Sequence, residues 1–329
     1  MKRKNFRGIL LLLFSAVVSC GNAQSPFKVT LLGTGAPVPS IERFGPGILV
    51  EAGGQKLLFD CGRGAAQRLW QLKIPLGQIN ALFLTHLHSD HIVGIPDVWL
   101  TGWIPAAYGR RTLPFQVLGP GGTKDMMDNL AKAFSWDIST RSKEKNKADS
   151  GALVNATDIK EGFIWEKNGV KVTPFTVQHA EFIDSALGYR IDYAGHSVIL
   201  SGDTRYSANL IRYAKGADLI IHEVAAANEH SMQTSPLINQ ILGFHTSPEE
   251  AGKVFEQTKP KLAVYSHIVL LTAEPSIPPP TMSEVILRTK KIYSGALQAG
   301  EDLLSIEVGD KVTVSKYAAT GIRAIEVIK

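Results

Sequence analysis

The chain has 329 residues, 44% of them hydrophobic, with two cysteines and a formal net charge of +5. Lys2, Arg3, Lys4 and Arg7 supply four of those positive charges, so the remainder is close to neutral and carries no global basic character of the kind that marks a nucleic-acid-binding domain. An apolar content of this size over about 300 residues suffices for a large core, and a domain left with Cys61 alone has no internal disulfide to rely on.

In chain order, the first segment is set aside from the fold. A basic start followed by the apolar stretch Gly8 to Val18, too short for a stable bilayer span, reads as a secretory signal peptide. Its end, Val17-Val18-Ser19-Cys20, resembles a bacterial lipobox, in which the cysteine is lipidated and becomes the new N-terminus. Residues 1–20 are therefore expected to be a signal peptide, 21–26 a tether and 27–329 the domain, exported to the periplasm or outer membrane on a lipid anchor at Cys20. Cleavage after Ala23, releasing a secreted soluble protein, is the alternative.

Short β-branched and apolar runs then recur at Phe27 to Leu32, Ile48 to Ala52, Lys56 to Phe59 and Ala81 to Leu84, with turns such as Ala52-Gly53-Gly54 between them, and predict strands. Apolar residues at helical spacing follow in Ala65 to Lys73 and in Met126 to Phe134. Ser139 to Ser150 has almost no large apolar residue and predicts a polar surface loop inserted in the domain. Strand-like runs return at Val170 to Val177, Ser197 to Leu200, Leu219 to Ile221 and Leu262 to Tyr265, giving a two-halved layered α/β sheet architecture. Ser247-Pro248-Glu249-Glu250 opens a helix, with a Ser N-cap, Pro at the first helical position and Glu at the third, so His245 stands just before a helix N-terminus. The positive end of that helix favours an anionic group nearby.

The chemistry is concentrated after Leu82-Phe83-Leu84, where Thr85-His86-Leu87-His88-Ser89-Asp90-His91 crowds three imidazoles and a carboxylate onto one loop. That ligand set suits zinc and related divalent ions. The run matches the H-x-H-x-D-H signature of the metallo-β-lactamase superfamily. Leu31-Leu32-Gly33-Thr34-Gly35, Leu58-Phe59-Asp60-Cys61-Gly62 and Ser201-Gly202-Asp203-Thr204 also resemble its motifs. The chain is most similar to the branch containing RNase Z and the zinc-dependent arylsulfatases.

The resemblance implies a single-domain four-layer αββα sandwich and two Zn²⁺, with Mn²⁺ as a possible substitute. It implies His86, His88 and His179 as one metal site, Asp90, His91 and His267 as a second, and Asp203 bridging the two. His179 enters because Val177-Gln178-His179 precedes Leu187-Gly188-Tyr189-Arg190, as a lone histidine precedes a Gly-Tyr motif in that branch. RNase Z proteins usually continue from the last of these histidines with Phe-Ser-x-Arg-Tyr, whereas here Ile268-Val269-Leu270-Leu271 follows His267. Ile221-His222-Glu223-Val224 and Phe244-His245-Thr246-Ser247 resemble the acidic and histidine motifs of RNase Z. They imply a proton-shuttling pair in which Glu223 orients His245, so that Asp90, His245 and Glu223 form the catalytic set. His196, His222 and His230 receive no role.

The function implied is hydrolysis of a phosphodiester or sulfate ester by a metal-bridged hydroxide, on a small-molecule or short anionic ester. Export, and the lack of the long protruding arm that RNase Z usually carries, argue against tRNA. A lactonase or β-lactamase acting on a cyclic carbonyl is the alternative; a non-enzymatic metal-binding protein would require missing ligands, and none is missing. Trp99, Trp103 and Tyr108 offer either an aromatic-accepting pocket or core and homodimer contacts.

Overall fold

Leu57, Leu58 and Phe59 are consecutive and all fully buried, yet they serve two different cores: Leu57 and Phe59 join one apolar cluster and Leu58 another. Because side chains alternate across a strand, a strand of this kind must be covered on both faces, and the architecture follows from that requirement. A computed structural model describes residues 25–144, 150–183, 185–318 and 325–328. The segments expected to be a signal peptide with its lipobox, and most of the expected tether, lie outside the described residues.

The first half contributes β1 (Phe27–Gly33), β2 (Gly47–Ala52), β3 (Gln55–Phe59), β4 (Ala81–Phe83), β5 (Phe115–Gly119) and β6 (Val154–Asp158). The second contributes β7 (Trp165–Lys167), β8 (Val170–Val177), β9 (Ala186–Tyr193), β10 (His196–Leu200), β11 (Leu219–Ala227), β12 (Leu262–Leu271) and β13 (Leu297–Ala299). Then β14 (Ser305–Val308), β15 (Val312–Ser315) and β16 (Ile325–Ile328) return to the first sheet, antiparallel on the outer side of β1. Among the described residues the two sheets have the orders β16-β15-β14-β1-β2-β3-β4-β5-β6 and β13-β12-β11-β10-β9-β8-β7. In each, an antiparallel meander gives way to parallel strands, at β3 in one sheet and at β10 in the other.

The inner faces meet in one core, where Phe59 and Phe83 of the first sheet pack on Tyr189 of the second with ring centroids 5.2 and 5.7 Å apart. Helices Ala65–Gln71 and Thr123–Ala133 cover the outer face of the first sheet through Leu69 and Met127. Helices Ala208–Ala214, Pro248–Thr258 and Met282–Lys290 cover the second through Leu210, Val254, Phe255 and Val285. The layers are thus αββα, as the sequence motifs imply, and each fully buried Leu, Val or Phe contributes about 1.5–3 kcal/mol to holding them together. The helix expected after Ser247 forms with a complete capping box: Glu250 N–H donates to Ser247 Oγ at 3.3 Å, and Ser247 N–H donates to Glu250 Oε2 at 3.0 Å.

Two expectations are corrected. The polar stretch from Ser139 is not a loop at its start, because Ser135–Glu144 is a helix. None of its side chains is fully buried; Ile138 packs part-buried on the outer core and Arg141 pairs with Asp137 at 2.8 Å, an i,i+4 support that lets a largely polar segment remain helical. Residues 145–149 of that stretch lie outside the described residues. The second correction concerns β12, which does not stop with the run Leu262 to Tyr265 but continues through His267 to Leu271, pairing Ile268 to Leu271 with Val224 to Ala227 of β11.

Candidate metal centre

The centre lies where the strand ends of both sheets converge. β4 delivers the loop of His86 and His88, and the short helix Ser89–Ile92 turns Asp90 and His91 back toward it. β8 leads to His179 and β10 to Asp203, while His267 comes from within β12. The β11 and β12 register shifts between His222↔Tyr265 and Val224↔Ile268, leaving Ser266 and His267 opposite Glu223 alone. This is a bulge, and His267 takes φ 43° in it; bulges re-aim side chains in this way, which explains how the strand continues while the imidazole turns into the centre. Gly202, before Asp203, has φ 60°, and a Cβ there would lie 2.6 Å from the Leu187 carbonyl oxygen. Only glycine fits this approach.

Asp203 is the focus of the cluster. Its Oδ2 lies 3.3 Å from Nε2 of His267, 3.4 Å from His91, 3.8 Å from His86 and 3.9 Å from His179. The sets His86, His88, His179 and Asp90, His91, His267 each hold their ligand atoms within 4.8 Å of one another. His88 presents Nδ1, 3.0 Å from His86 Nε2 and 3.4 Å from His179 Nε2. Two ring orientations are fixed from behind: His179 Nδ1–H donates to the Phe244 carbonyl at 2.8 Å, and His91 Nδ1–H donates to Asp60 Oδ2 at 2.8 Å. Each leaves Nε2 for the centre.

Asp60 has no role in the motif reading although Leu58-Phe59-Asp60-Cys61-Gly62 contains it. The residue sits at φ 56° after β3 and also accepts from Thr85 N–H at 2.8 Å and from Thr85 Oγ1–H at 2.9 Å, so one carboxylate ties the ligand loop to β3 and orients His91.

Burial first, and neighbouring imidazoles after it, push the pKa of His86 well below its ordinary value; burial likewise lowers His88 and His179. These rings are neutral at pH 7 and carry free lone pairs, the state that ligation needs. Burial alone would raise the Asp203 carboxyl, but the His267 and His91 imidazoles outweigh it and hold it well below the carboxylate range. His91 Nε2 and Asp203 Oδ1 are buried with no hydrogen-bond partner. An unsatisfied buried polar atom costs about 1–3 kcal/mol, and two facing one cluster of nitrogen and oxygen donors fit a bound cation.

Beside this cluster, Glu223 Oε1 accepts from Thr204 N–H at 3.1 Å and Thr246 N–H at 3.0 Å, while Oε2 lies 3.3 Å from His245 Nδ1. Burial opposes a charge on His245, but the Glu223 carboxylate and then Asp203 raise its pKa to about 9. His245 is also near enough to His179 and Asp203 to share ligand-range distances with them. The structure therefore brings together all of His86, His88, Asp90, His91, His179, Asp203, His267, Glu223 and His245. His222 is buried beside them, donating Nδ1–H to the Glu223 carbonyl at 2.7 Å, and His196 and His230 lie with Asp218 and Glu274 elsewhere.

A cleft of about 450 Å³ opens over the cluster. Its walls include neither Trp99 nor Trp103, and of the two readings of these residues the core one holds. Trp99 and Trp103 are buried, Trp99 within the outer core, where its Nε1–H donates to the Ala152 carbonyl at 3.0 Å. Tyr108 packs edge-on to Trp70 with centroids 6.1 Å apart.

A family model described as a beta-lactamase superfamily domain matches residues 55–268. A ribonuclease Z of Mycolicibacterium gilvum (strain PYR-GCK) is 32% identical over 281 residues, covering 85% of this chain and 96% of that protein. Among solved structures, the metallo-β-lactamase fold protein YhfI from Bacillus subtilis superposes with a TM-score of 0.65 at 18% identity, covering 86% of this chain and all of that one. Human tRNase Z, short form, does so with 0.61 at 19% identity, covering 86% and 99%. The chain belongs to the metallo-β-lactamase superfamily. Its place there is with the RNase Z-like metallo-hydrolases, whose names stand opposite the sequence argument against tRNA without testing this chain's own partners.

Proposed function

We propose that the protein is a dinuclear metal-dependent hydrolase of phosphodiester or sulfate esters, with zinc as its metal and manganese as a possible substitute. The observation that carries this reading is the position of Asp203, whose Oδ2 lies within 3.9 Å of imidazole nitrogens from both ligand triads. His86, His88 and His179 would hold one ion and Asp90, His91 and His267 the other, with Asp203 between. Ions so held supply hydroxide at neutral pH by lowering the pKa of water from 15.7 toward about 7.

The chain's own further contribution is the Glu223 and His245 pair. Glu223 keeps a proton on His245 Nδ1, and His245 Nε2 holds the one that can pass to a leaving oxygen. The RNase Z-like setting of this pair, Ile221-His222-Glu223-Val224 and Phe244-His245-Thr246-Ser247, favours the ester reading over opening of a lactone or β-lactam. Similarity to a ribonuclease Z supports the phosphodiester over the sulfate ester. The basic start and Cys20 support export and a lipid anchor, and with it a small or short anionic ester in place of tRNA.

The test is a panel of chromogenic phosphodiesters, aryl sulfates, lactones and β-lactams, with a precursor tRNA alongside, offered to the zinc-loaded protein. Turnover of a phosphodiester or aryl sulfate is expected. Turnover confined to lactones or β-lactams would overturn the reading, and a tRNA outpacing every small ester would overturn its substrate size.

A further inference from the structure

The bulge at His267 has a second effect, because the strand that continues past it carries Ile268-Val269-Leu270-Leu271 along one side of the cleft. Val269 packs with Ala36 and Ala225 in a small apolar cluster, joined by the partly buried Ile241, Leu242 and Leu271, and separate from the three large cores. Val38, Ile241, Val269 and Leu271 line the cleft together with Phe244, the neighbour of His245, while Leu270 borders it but packs on the outer core of the second sheet. Val38 is 72% exposed, a large apolar side chain left in water at the mouth of a reactive centre.

The charge of the wall is as informative. Arg43 is the single Lys or Arg among the lining residues, and its Nη1 already donates to Thr34 Oγ1 at 2.6 Å and to the Gly300 carbonyl at 2.8 Å. A polyanion gains its affinity from successive Lys and Arg contacts to phosphates, which this wall does not offer. The space exceeds what one ester group needs: an apolar cavity of about 150 Å³ already takes a benzene ring, and this cleft has about 450 Å³.

We propose that the cleft selects an amphiphilic ester: a single anionic ester centre at the histidine and aspartate cluster, and an alkyl chain or ring of it packed on Val38, Ile241 and Leu271. This rests on the ester hydrolase reading and names the substrate class for it.

The test uses p-nitrophenyl alkyl phosphates with methyl, butyl and hexyl chains on the zinc-loaded full chain, together with a dinucleotide ester. Binding of methylphosphonate and hexylphosphonate is measured by calorimetry on the same protein, which needs no turnover. If the wall takes the chain, kcat/KM rises by roughly three- to fourfold for each methylene buried, and hexylphosphonate binds more tightly than methylphosphonate. Leu271→Ser and Ile241→Ser should flatten both trends, and Val38→Ser, at an exposed position, should weaken them without touching the fold. Hydrolysis of all chain lengths at one rate with equal phosphonate binding, as when a second copy covers this wall, would overturn the proposal. So would preference for the dinucleotide. If no ester is hydrolysed but hexylphosphonate still binds preferentially, the cleft assignment stands and the hydrolase reading falls.

Discussion

Asp60 Oδ2 lies 2.8 Å from His91 Nδ1, and the same carboxylate takes both the backbone N–H and the hydroxyl of Thr85. A carboxylate behind a ligating imidazole fixes its tautomer and raises its basicity, and loss of such a partner typically costs about 10- to 100-fold in metal affinity. Asp60→Ala is therefore expected to weaken zinc retention by that order, read by competition with a chromogenic chelator. An unchanged affinity would show that His91 needs no support from β3.

Asp203 stands between the two ligand triads, so its removal should affect both ions together. In elemental analysis of protein purified without chelator, the wild type is expected to hold about two divalent ions per chain, and Asp203→Ala well under one. An Asp203→Ala protein that still holds two tightly bound ions would end the bridging assignment.

Most of this candidate centre was legible because its residues fall in short-range words: His86 to His91 is one run, and Asp203, Glu223 and His245 each sit in a recognisable neighbourhood. Asp60 was hidden because a lone aspartate before Cys61-Gly62 has the composition of a turn, and its function depends on Thr85 and His91 arriving from another strand. The cleft wall was hidden for a similar reason. Val269 to Leu271 differs from the RNase Z pattern, but only the pairing past the bulge at His267 shows that the strand continues and brings Val269 and Leu271 to the cleft. Conversely, Trp99 and Trp103 are close to the metal loop in sequence yet line no part of the cleft, since both large rings are buried, Trp99 in the outer core. The helix Ser135–Glu144 escaped because it lacks the apolar stripe by which helices are read.

Away from the centre, Asp218 accepts from Ser197 N–H at 2.8 Å and pairs with Lys261 Nζ at 2.7 Å and His196 Nδ1 at 3.4 Å. Burial raises its pKa, but these partners lower it further, to a net position below the ordinary carboxylate value. A depressed carboxyl contributes stability above its unfolded pKa and loses it as pH falls through the folded one. Asp218→Asn should therefore be less stable than wild type at pH 7, with the gap closing as both are acidified below about pH 4. Thermal melts of the metal-free proteins across that range check it; a gap independent of pH would mean that the ion pair contributes nothing.

Cys20 ends Val17-Val18-Ser19-Cys20, and no helix among the described residues is long and apolar enough to cross a membrane. If the lipobox is used, the protein expressed in a bacterium should fractionate with membranes and Cys20→Ala should not. Equal recovery of both in the soluble fraction would favour cleavage after Ala23.

His245 is held in place by Glu223, with Nδ1 3.3 Å from Oε2, directly before the capped helix Pro248–Thr258. The proposed triads do not use it, yet it lies within ligand range of His179 and Asp203 and of Glu223 and His267, so its role has to be separated from metal binding by experiment. His245→Ala is expected to keep its metals and lose turnover. General acid catalysis contributes roughly 10² to 10⁴ in rate, and the loss should fall in that range for an alkoxide leaving group that cannot depart unprotonated. For a nitrophenyl ester, whose leaving group departs without a proton, the loss should be much smaller. Glu223→Gln should follow the same pattern more weakly, because it removes the charge that favours the protonated ring but leaves a side chain able to accept from Thr204 and Thr246. Loss of metal in His245→Ala would make the residue a ligand, and equal impairment on both leaving groups would make it a stabiliser of charge, since only a proton donor discriminates between oxygens that need the proton and oxygens that do not.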